Sequence, residues 1–323
     1  MSKSHQRKKV VNILIIGASG GLANILTGLL HQSHPHAHIT GVDSRPLKND
    51  IHNPNFTFRK MRYTRSQFEK LFREKRFDYV YHLGRMSHVG GSNQQDIIKR
   101  LNLNLIGTNK ILELSLQFGV KKIIVLSTHH VYGALSDNPV YLKEDAPLRA
   151  SIKYPELRDV TEMDSLCTNW MWRFKDKIST VIFRPCNIIG PQINNSISQY
   201  LRSDYSPLPI DFNPMFQFVH ELDMATILKR AIDDIDTGVY NVAPEQTVSL
   251  AKAKELVGSS HIDFPISLVS PLAFVLKKFW SFPDYLLDYI KHSCIIDGNA
   301  LRRQIPDHHY RYTIDESLKL INL

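Results

Sequence analysis

The residues best suited to chemistry form one short run, Gly17-Ala18-Ser19-Gly20-Gly21-Leu22-Ala23. An apolar stretch, residues 11–16, leads into it, and a helix-like segment follows. That context suits a phosphate. Gly17 allows a tight turn, Gly20 lets the backbone approach a pyrophosphate, and Ala23 is small enough for close helix–strand packing. The helix N-terminus adds free N–H groups and the positive end of the helix dipole. Asp43 closes a second apolar stretch, Ile39-Thr40-Gly41-Val42. A carboxylate there can accept hydrogen bonds from the ribose hydroxyls of an adenosine. It favours NAD over NADP, because a 2′-phosphate would meet like charge, although Arg45 lies close by. The bland alternative is a tight turn that binds nothing.

Other chemistry-bearing residues carry less. The run His31-Gln32-Ser33-His34-Pro35-His36-Ala37-His38 is rich in imidazole, but Pro35 prevents ligand pairing along a helix face, and no Cys or acid lies within it. A loop with adventitious metal affinity is the better description, and no metal site is expected. Cys167, Cys186 and Cys294 show no C-x-x-C spacing. A reducing compartment, the cytoplasm, is therefore expected. The net charge of +9 is scattered, with local clusters at Arg7-Lys8-Lys9, Arg59-Lys60-Met61-Arg62 and Lys277-Lys278. No nucleic-acid motif accompanies them. They read as a solvated basic face that favours an anionic ligand, with no nucleic-acid partner. The apolar run after the basic N-terminus is too short for a secretory signal, and no stretch reaches the length of a membrane span.

These residues need a scaffold, and the pattern supplies one. Strands are expected at 11–16, 38–42, 55–59, 79–83, 122–126 and 179–183, with helices at 20–31, 65–75, 93–118 and 155–174. In the third helix Ile97, Leu101 and Leu105 recur at four-residue spacing, and Gly119 supplies its stop. The alternation predicts an α/β fold, a Rossmann-type doubly wound parallel sheet with helices on both faces. Ligands bind such sheets at the carboxyl ends of the strands, near the switch point. After Gly190-Pro191 the pattern loosens, and prolines recur at 207, 209 and 214. We expect a dinucleotide-binding Rossmann domain over 1–190. A smaller C-terminal α/β substrate-binding region should span 191–323 and return in part to the first. Leu268, Leu272, Val275, Leu276, Phe279 and Trp280 lie beside Lys277 and Lys278, with Leu286, Leu287 and Ile290 beyond. An amphipathic lid or dimer helix is expected there, with a membrane-surface helix as the alternative.

Several further segments, taken together, resemble the extended short-chain dehydrogenase/reductases, specifically their NAD-dependent epimerase/dehydratase group. Beyond the glycine turn they are Asp78-Tyr79-Val80-Tyr81-His82-Leu83-Gly84, Asn104-Leu105-Ile106-Gly107-Thr108-Asn109 and Val125-Leu126-Ser127-Thr128-His129-His130-Val131-Tyr132-Gly133. Arg184-Pro185-Cys186-Asn187-Ile188-Ile189-Gly190-Pro191, Phe218-Val219-His220-Glu221-Leu222-Asp223-Met224-Ala225 and Gly238-Val239-Tyr240-Asn241-Val242 follow in the family's order. The similarity runs over nearly the whole chain.

The resemblance implies hydride chemistry on a small-molecule alcohol, such as a nucleotide sugar. It assigns Gly17, Ser19, Gly20, Gly21, Leu22, Asp43, Ser44, Arg45, Leu83, Gly84, Arg85, Asn104, Ser127, Pro185, Asn187 and Ile188 to NAD, with NADP the lesser fit. Thr128 (or Ser127) would orient the reacting oxygen. The family's proton carrier is a tyrosine with a lysine four residues later, because a phenol is a poor base at neutral pH without an adjacent cation. No Y-x-x-x-K occurs between Gly133 and Arg184. One register pairs Tyr154 with Arg158 as the catalytic dyad; arginine is cationic but is a planar fork. The other, gapless register anchors on Arg158-Asp159, puts Glu156 and Val160 in those places, and leaves no dyad. His129-His130 stands where dehydratases of the family carry Asp-Glu, which argues against a 4,6-dehydratase. The stretch Arg59-Lys60-Met61-Arg62 lacks the usual acid that contacts adenine. Three functions follow as candidates. They are an NAD-dependent oxidoreductase or epimerase, a dinucleotide-binding regulator or assembly partner with a degenerate dyad, and a sterol or lipid dehydrogenase at a membrane surface. The resemblance also implies a homodimer through the two long helices.

Overall fold

The computed structural model describes residues 10–48, 51–84, 98, 100–268 and 284–322. Its centre is a seven-stranded sheet. Six strands come from the first part of the chain: β1 (Asn12–Ile16), β2 (His38–Asp43), β3 (Phe56–Lys60), β4 (Tyr79–His82), β5 (Lys122–Leu126) and β6 (Ser179–Pro185). Strands β7 (Asn187–Ile189), β8 (Ser206–Pro209), β9 (Met215–Phe216) and β10 (Phe218–His220) follow, then β11 (Gly238–Val242), β12 (Val248–Ser249) and β13 (His261–Phe264). The large sheet has the order β11-β6-β5-β4-β1-β2-β3, and all its pairs are parallel. The chain leaves β1 in opposite directions, to β2 on one side and β4 on the other. The switch point therefore lies at the carboxyl ends of β1 and β4.

Parallel strands covered on both faces should be apolar throughout, not alternating. Ile13, Leu14, Ile15 and Ile16 of β1 are all fully buried, as are Ile123, Ile124 and Val125 of β5. The principal helices are α1 (Gly21–Ser33), α2 (Arg65–Glu74), α3 (Gly107–Gln117), α4 (Ala150–Lys153) and α5 (Arg158–Phe174). Beyond them lie α6 (Ser196–Arg202), α7 (Glu221–Arg230), α8 (Leu250–Val257), α9 (Asp284–Lys291), α10 (Asn299–Gln304) and α11 (Ile314–Lys319). Helix α1 buries Leu22, Ala23, Leu26, Thr27 and Leu30 and packs against α7.

The six expected strands and the four expected helices are found, apart from their ends, with residues 93–97 and 99 of the third helix outside the described residues; the sequence did not resolve the separate helices beyond β6. Two interruptions have local causes. Pro155 opens a 3-10 turn, Pro155–Leu157, before α5 begins at Arg158. Proline fits the first helical position because its missing N–H would be unsatisfied there anyway. The third helix enters α3 through a π-turn, Asn102–Ile106, the kind of local widening that often marks a functional position.

After β6, residues 187–264 form three short strand pairs: β7 with β10, β8 with β13, and β9 with β12. Strand β11 then joins the edge of the large sheet beside β6. Cys167, Cys186 and Cys294 are free and buried. Among the described residues no helix is long and apolar enough to cross a membrane. Arg85, Arg7-Lys8-Lys9, Lys277-Lys278 and the stretch 269–283 lie outside the described residues.

Candidate active site

The glycine turn sits at the carboxyl end of β1. Gly17 has φ +91°, and a Cβ on it would lie 2.5 Å from the Gly84 Cα. Only glycine permits that conformation and that approach between the ends of β1 and β4. Gly20 is the N-cap of α1 and makes no side-chain cap, so no side chain takes up the first-turn N–H groups. A Cβ at Gly20 would meet only the Gly17 carbonyl, at 3.3 Å. This is an open cradle at a helix N-terminus, and it fits a pyrophosphate. Gly21 carries a further constraint. A Cβ there would run into the Gln192 backbone, so this glycine makes room for the chain.

Asp43 ends β2 and is buried. Its Oδ2 accepts from the Ser19 N–H at 3.1 Å, and its Oδ1 accepts from the Arg45 N–H at 2.9 Å. Ser19 Oγ donates to the Arg45 carbonyl at 3.0 Å. The carboxylate thus ties the glycine turn to the exposed Ser44-Arg45 corner, and two oxygens with about four acceptor sites still leave capacity for ribose hydroxyls. Tyr63, which sequence reasoning passed over, brings its hydroxyl against Gly84. Burial, and then the charge of Asp43, raise its pKa. No sequence pattern marked it.

A second cavity, of about 110 Å³, opens at the carboxyl ends of β5 and β6. Its walls bring together Asn104, Ser127, Thr128, Pro185, Asn187 and Ile188, all expected at the site. The lining residues not expected there include His129, His130, Asp159 and Tyr285. Thr128 caps the short turn His129–Tyr132 by accepting from the His130 N–H at 3.4 Å. Asn104 donates to Asp159 at 2.6 Å, and Asn187 donates to the Gln217 carbonyl at 3.1 Å. His129 shares Nδ1 with the Pro185 carbonyl at 3.0 Å.

Ser127 serves the frame. Its Oγ donates to Asp164 at 2.5 Å, and Arg184 grips the same carboxylate through Nε at 3.0 Å and an η nitrogen at 2.6 Å. Arg184 also donates to the Tyr132 hydroxyl at 2.9 Å, and that hydroxyl donates to Asn241 at 2.8 Å. Burial works against the arginine charge, but Asp164 outweighs it and raises the Arg184 pKa. Burial pushes Tyr132 up to about 12. The chain links β5, α5, β6 and β11 beneath the cavity.

The expected Tyr154–Arg158 dyad is not formed. Tyr154 is buried and donates to Asp288 of α9 at 2.5 Å. Burial and that bond raise its pKa, the opposite of what a general base needs. Arg158 is exposed and donates to Glu162 at 2.5 Å, one turn along its own helix. Neither residue lines the cavity. Val160, the lysine's place in the gapless register, does line it, and Glu156 accepts from the Tyr285 N–H at 3.0 Å. The physical reason is α9, which meets Lys153 at the end of α4 and Glu156 in the turn before α5 and supplies Asp288 as the partner of the phenol.

In the histidine run, His34 approaches Asp233 at 3.3 Å and His31 packs edge-on against Phe56. Among the described residues no three potential ligands converge on a metal position.

Comparison with known proteins agrees with this architecture. Residues 13–243 match the family model described as the NAD dependent epimerase/dehydratase family. The chain belongs to that family. An uncharacterized protein of Mycobacterium tuberculosis is 25% identical over 279 residues, covering 82% of this chain and 70% of the relative. A UDP-glucose 4-epimerase of Cyamopsis tetragonoloba is 29% identical over 155 residues, covering 48% of this chain and 41% of that protein. Among solved structures, the dTDP-glucose 4,6-dehydratase of Bacillus anthracis, in complex with NAD, superposes with a TM-score of 0.73 at 17% identity. It covers 97% of this chain and 96% of its own. The UDP-glucose 4-epimerase of Thermotoga maritima, with UDP-glucose, gives 0.71 at 18% identity, with 97% of each chain covered.

Proposed function

We propose that the protein is an NAD-dependent oxidoreductase or epimerase acting on a hydroxyl-bearing small molecule, a nucleotide sugar being the best fit. One observation carries this reading: an uncapped helix N-terminus, a Gly17–Gly84 close approach and a buried Asp43 converge at the switch point of the sheet. The pyrophosphate would lie on the first turn of α1, and the adenosine ribose on Asp43. Thr128 and Asn187 would hold the reacting end at the β5–β6 cavity. NAD, when bound, supplies a hydride acceptor. The protein's own part is to place the carbinol, exclude water with α9 and handle the hydroxyl proton. Residues 191–323 would supply the substrate-binding walls.

A second reading follows from the Tyr154–Asp288 bond, which removes the family's usual proton carrier from the cavity. The protein would then bind dinucleotide as a regulator or assembly partner. Calorimetric titration with NAD, NADH, NADP and NADPH, followed by incubation with UDP-glucose, separates the two. Micromolar NAD binding with turnover supports the enzyme. Binding without turnover of any nucleotide sugar supports the regulator. No dinucleotide binding overturns both. We also propose a homodimer through α3 and α5, whose exposed groove is lined by Leu116, Leu166, Trp170 and Phe174. A monomeric mass in sedimentation equilibrium would dismiss it.

A further inference from the structure

We propose that His130, held against His129, is the group that takes the substrate's hydroxyl proton in this cavity; this rests on the enzyme reading above. Among the described residues lining the cavity, five carry titratable side chains: His129, His130, Asp159, Cys186 and Tyr285. Burial raises the Cys186 thiol out of reach. The Asp159 carboxylate is engaged by the Asn104 amide. Imidazole is the side-chain type whose ordinary titration spans neutrality.

The geometry distinguishes the two histidines. A carbonyl can only accept, so the Pro185 carbonyl fixes the proton of His129 on Nδ1. His129 is fully enclosed and serves as the fixed member. His130 is partly exposed, and its ring lies 4.2 Å from that of His129, tilted by 37°. Tyr285 and Tyr289 of α9 stand edge-on to it at 5.2 and 4.9 Å. Two imidazolium rings held that close would repel, which disfavours a positive charge on both at once. Among the described residues, Asp159 of α5, Cys186 after β6 and Tyr285 of α9 line the same cavity, and Tyr289 of α9 stands edge-on to both rings. Thr128, next on the turn, can hydrogen-bond the same substrate oxygen.

The step balances as follows. The carbinol O–H proton passes to the His130 imidazole, and the electron pair of the carbinol C–H bond leaves as hydride to oxidised nicotinamide. The alcohol becomes a ketone and the dinucleotide is reduced by two electrons. Return of hydride to the opposite face, with the same proton, yields the epimer.

The test compares wild type, His130→Asn and His130→Ala. Calorimetry of NAD and NADH binding in buffers of different ionisation enthalpy reads proton release. A positive nicotinamide ring beside His130 should expel a proton that the neutral reduced ring does not. The wild type should release more protons with NAD than with NADH, and both variants should lose that difference while retaining affinity. With UDP-glucose as probe, His130→Asn should lower turnover by roughly 100-fold or more, and free imidazole should partly rescue His130→Ala. Unchanged proton release in the variants overturns the assignment, as does wild-type turnover with an unaltered pH profile in His130→Asn. If the wild type binds no dinucleotide, the enzyme reading itself has failed and this assignment falls with it.

Discussion

Tyr154 donates its hydroxyl proton to Asp288 at 2.5 Å, across 134 residues of sequence. Lys153 approaches the same carboxylate at 2.8 Å. Burial pushes Asp288 up, but the bonds from Lys153 and Tyr154 outweigh it and hold the carboxyl below its ordinary range. This contact pins α9 to the chain before α5, and it makes the phenol a structural clamp.

Tyr154→Phe is accordingly expected to keep dinucleotide affinity and to change turnover by less than about tenfold. It should lower stability by about 1 kcal/mol, because Asp288 retains its lysine partner. Urea unfolding together with steady-state kinetics checks this. Loss of turnover at full cofactor affinity would return the phenol to the reaction.

The Arg184–Asp164 pair should behave quite differently. Both side chains are buried, and Ser127 and Tyr132 hang on them. Arg184→Met strands a buried carboxylate and should cost about 3–5 kcal/mol. The double variant with Asp164→Leu should recover part of that loss, since no unpaired charge remains. Thermal unfolding of the two variants side by side decides it; equal losses would contradict the pairing.

The glycine turn separates folding from binding. Gly17→Ala meets both a positive φ and the Gly84 backbone, so it should destabilise the protein by roughly 2 kcal/mol or more and abolish dinucleotide binding. Gly20→Ala meets only the Gly17 carbonyl and should leave the melting temperature nearly unchanged. Its new methyl group, at the N-terminus of α1, should weaken dinucleotide binding by about tenfold or more. Calorimetric titration of Gly20→Ala with full wild-type affinity would refute the pyrophosphate placement.

Acid should unfold the protein through buried imidazoles. Burial lowers both His82 and His220 to about 4. Between there and the ordinary value of 6.5, the unfolded chain binds protons that the folded chain refuses. Stability is therefore present above pH 6.5 and falls as pH drops through that window, by about 1.4 kcal/mol per unit for each histidine once well below 6.5. His220 Nδ1 also caps α7 by accepting from the Leu222 N–H at 3.2 Å, a role that protonation would end. His220→Asn keeps a capping acceptor and should flatten the slope. Urea midpoints measured across the window would expose the idea if the variant's slope matched the wild type.

How much was legible follows from how local each feature is. Residues 13–16 read as the buried part of a parallel strand because each residue there is apolar, and burial on both faces demands nothing more. The tight turn at Gly17–Gly20 was legible because a turn with a helix after it leaves a mark within a few residues. The packing of Gly21 against Gln192, far along the chain, was not legible, because nothing local marks it. Tyr63 escaped notice because a single aromatic beyond a strand has no spacing to betray it.

The sequence by itself determined the doubly wound scaffold and the place of its glycine turn, because apolar periodicity and backbone chirality act between near neighbours. Only the tertiary structure decided what the polar side chains do. Asn104 meets Asp159 over 55 residues, Ser127 meets Asp164 over 37, and Tyr154 meets Asp288 over 134. A hydroxyl or carboxylate takes whichever partner packing brings within about 3 Å, and no local pattern encodes that partner. The same packing that withdrew Tyr154 from the cavity set His129 and His130 in its wall.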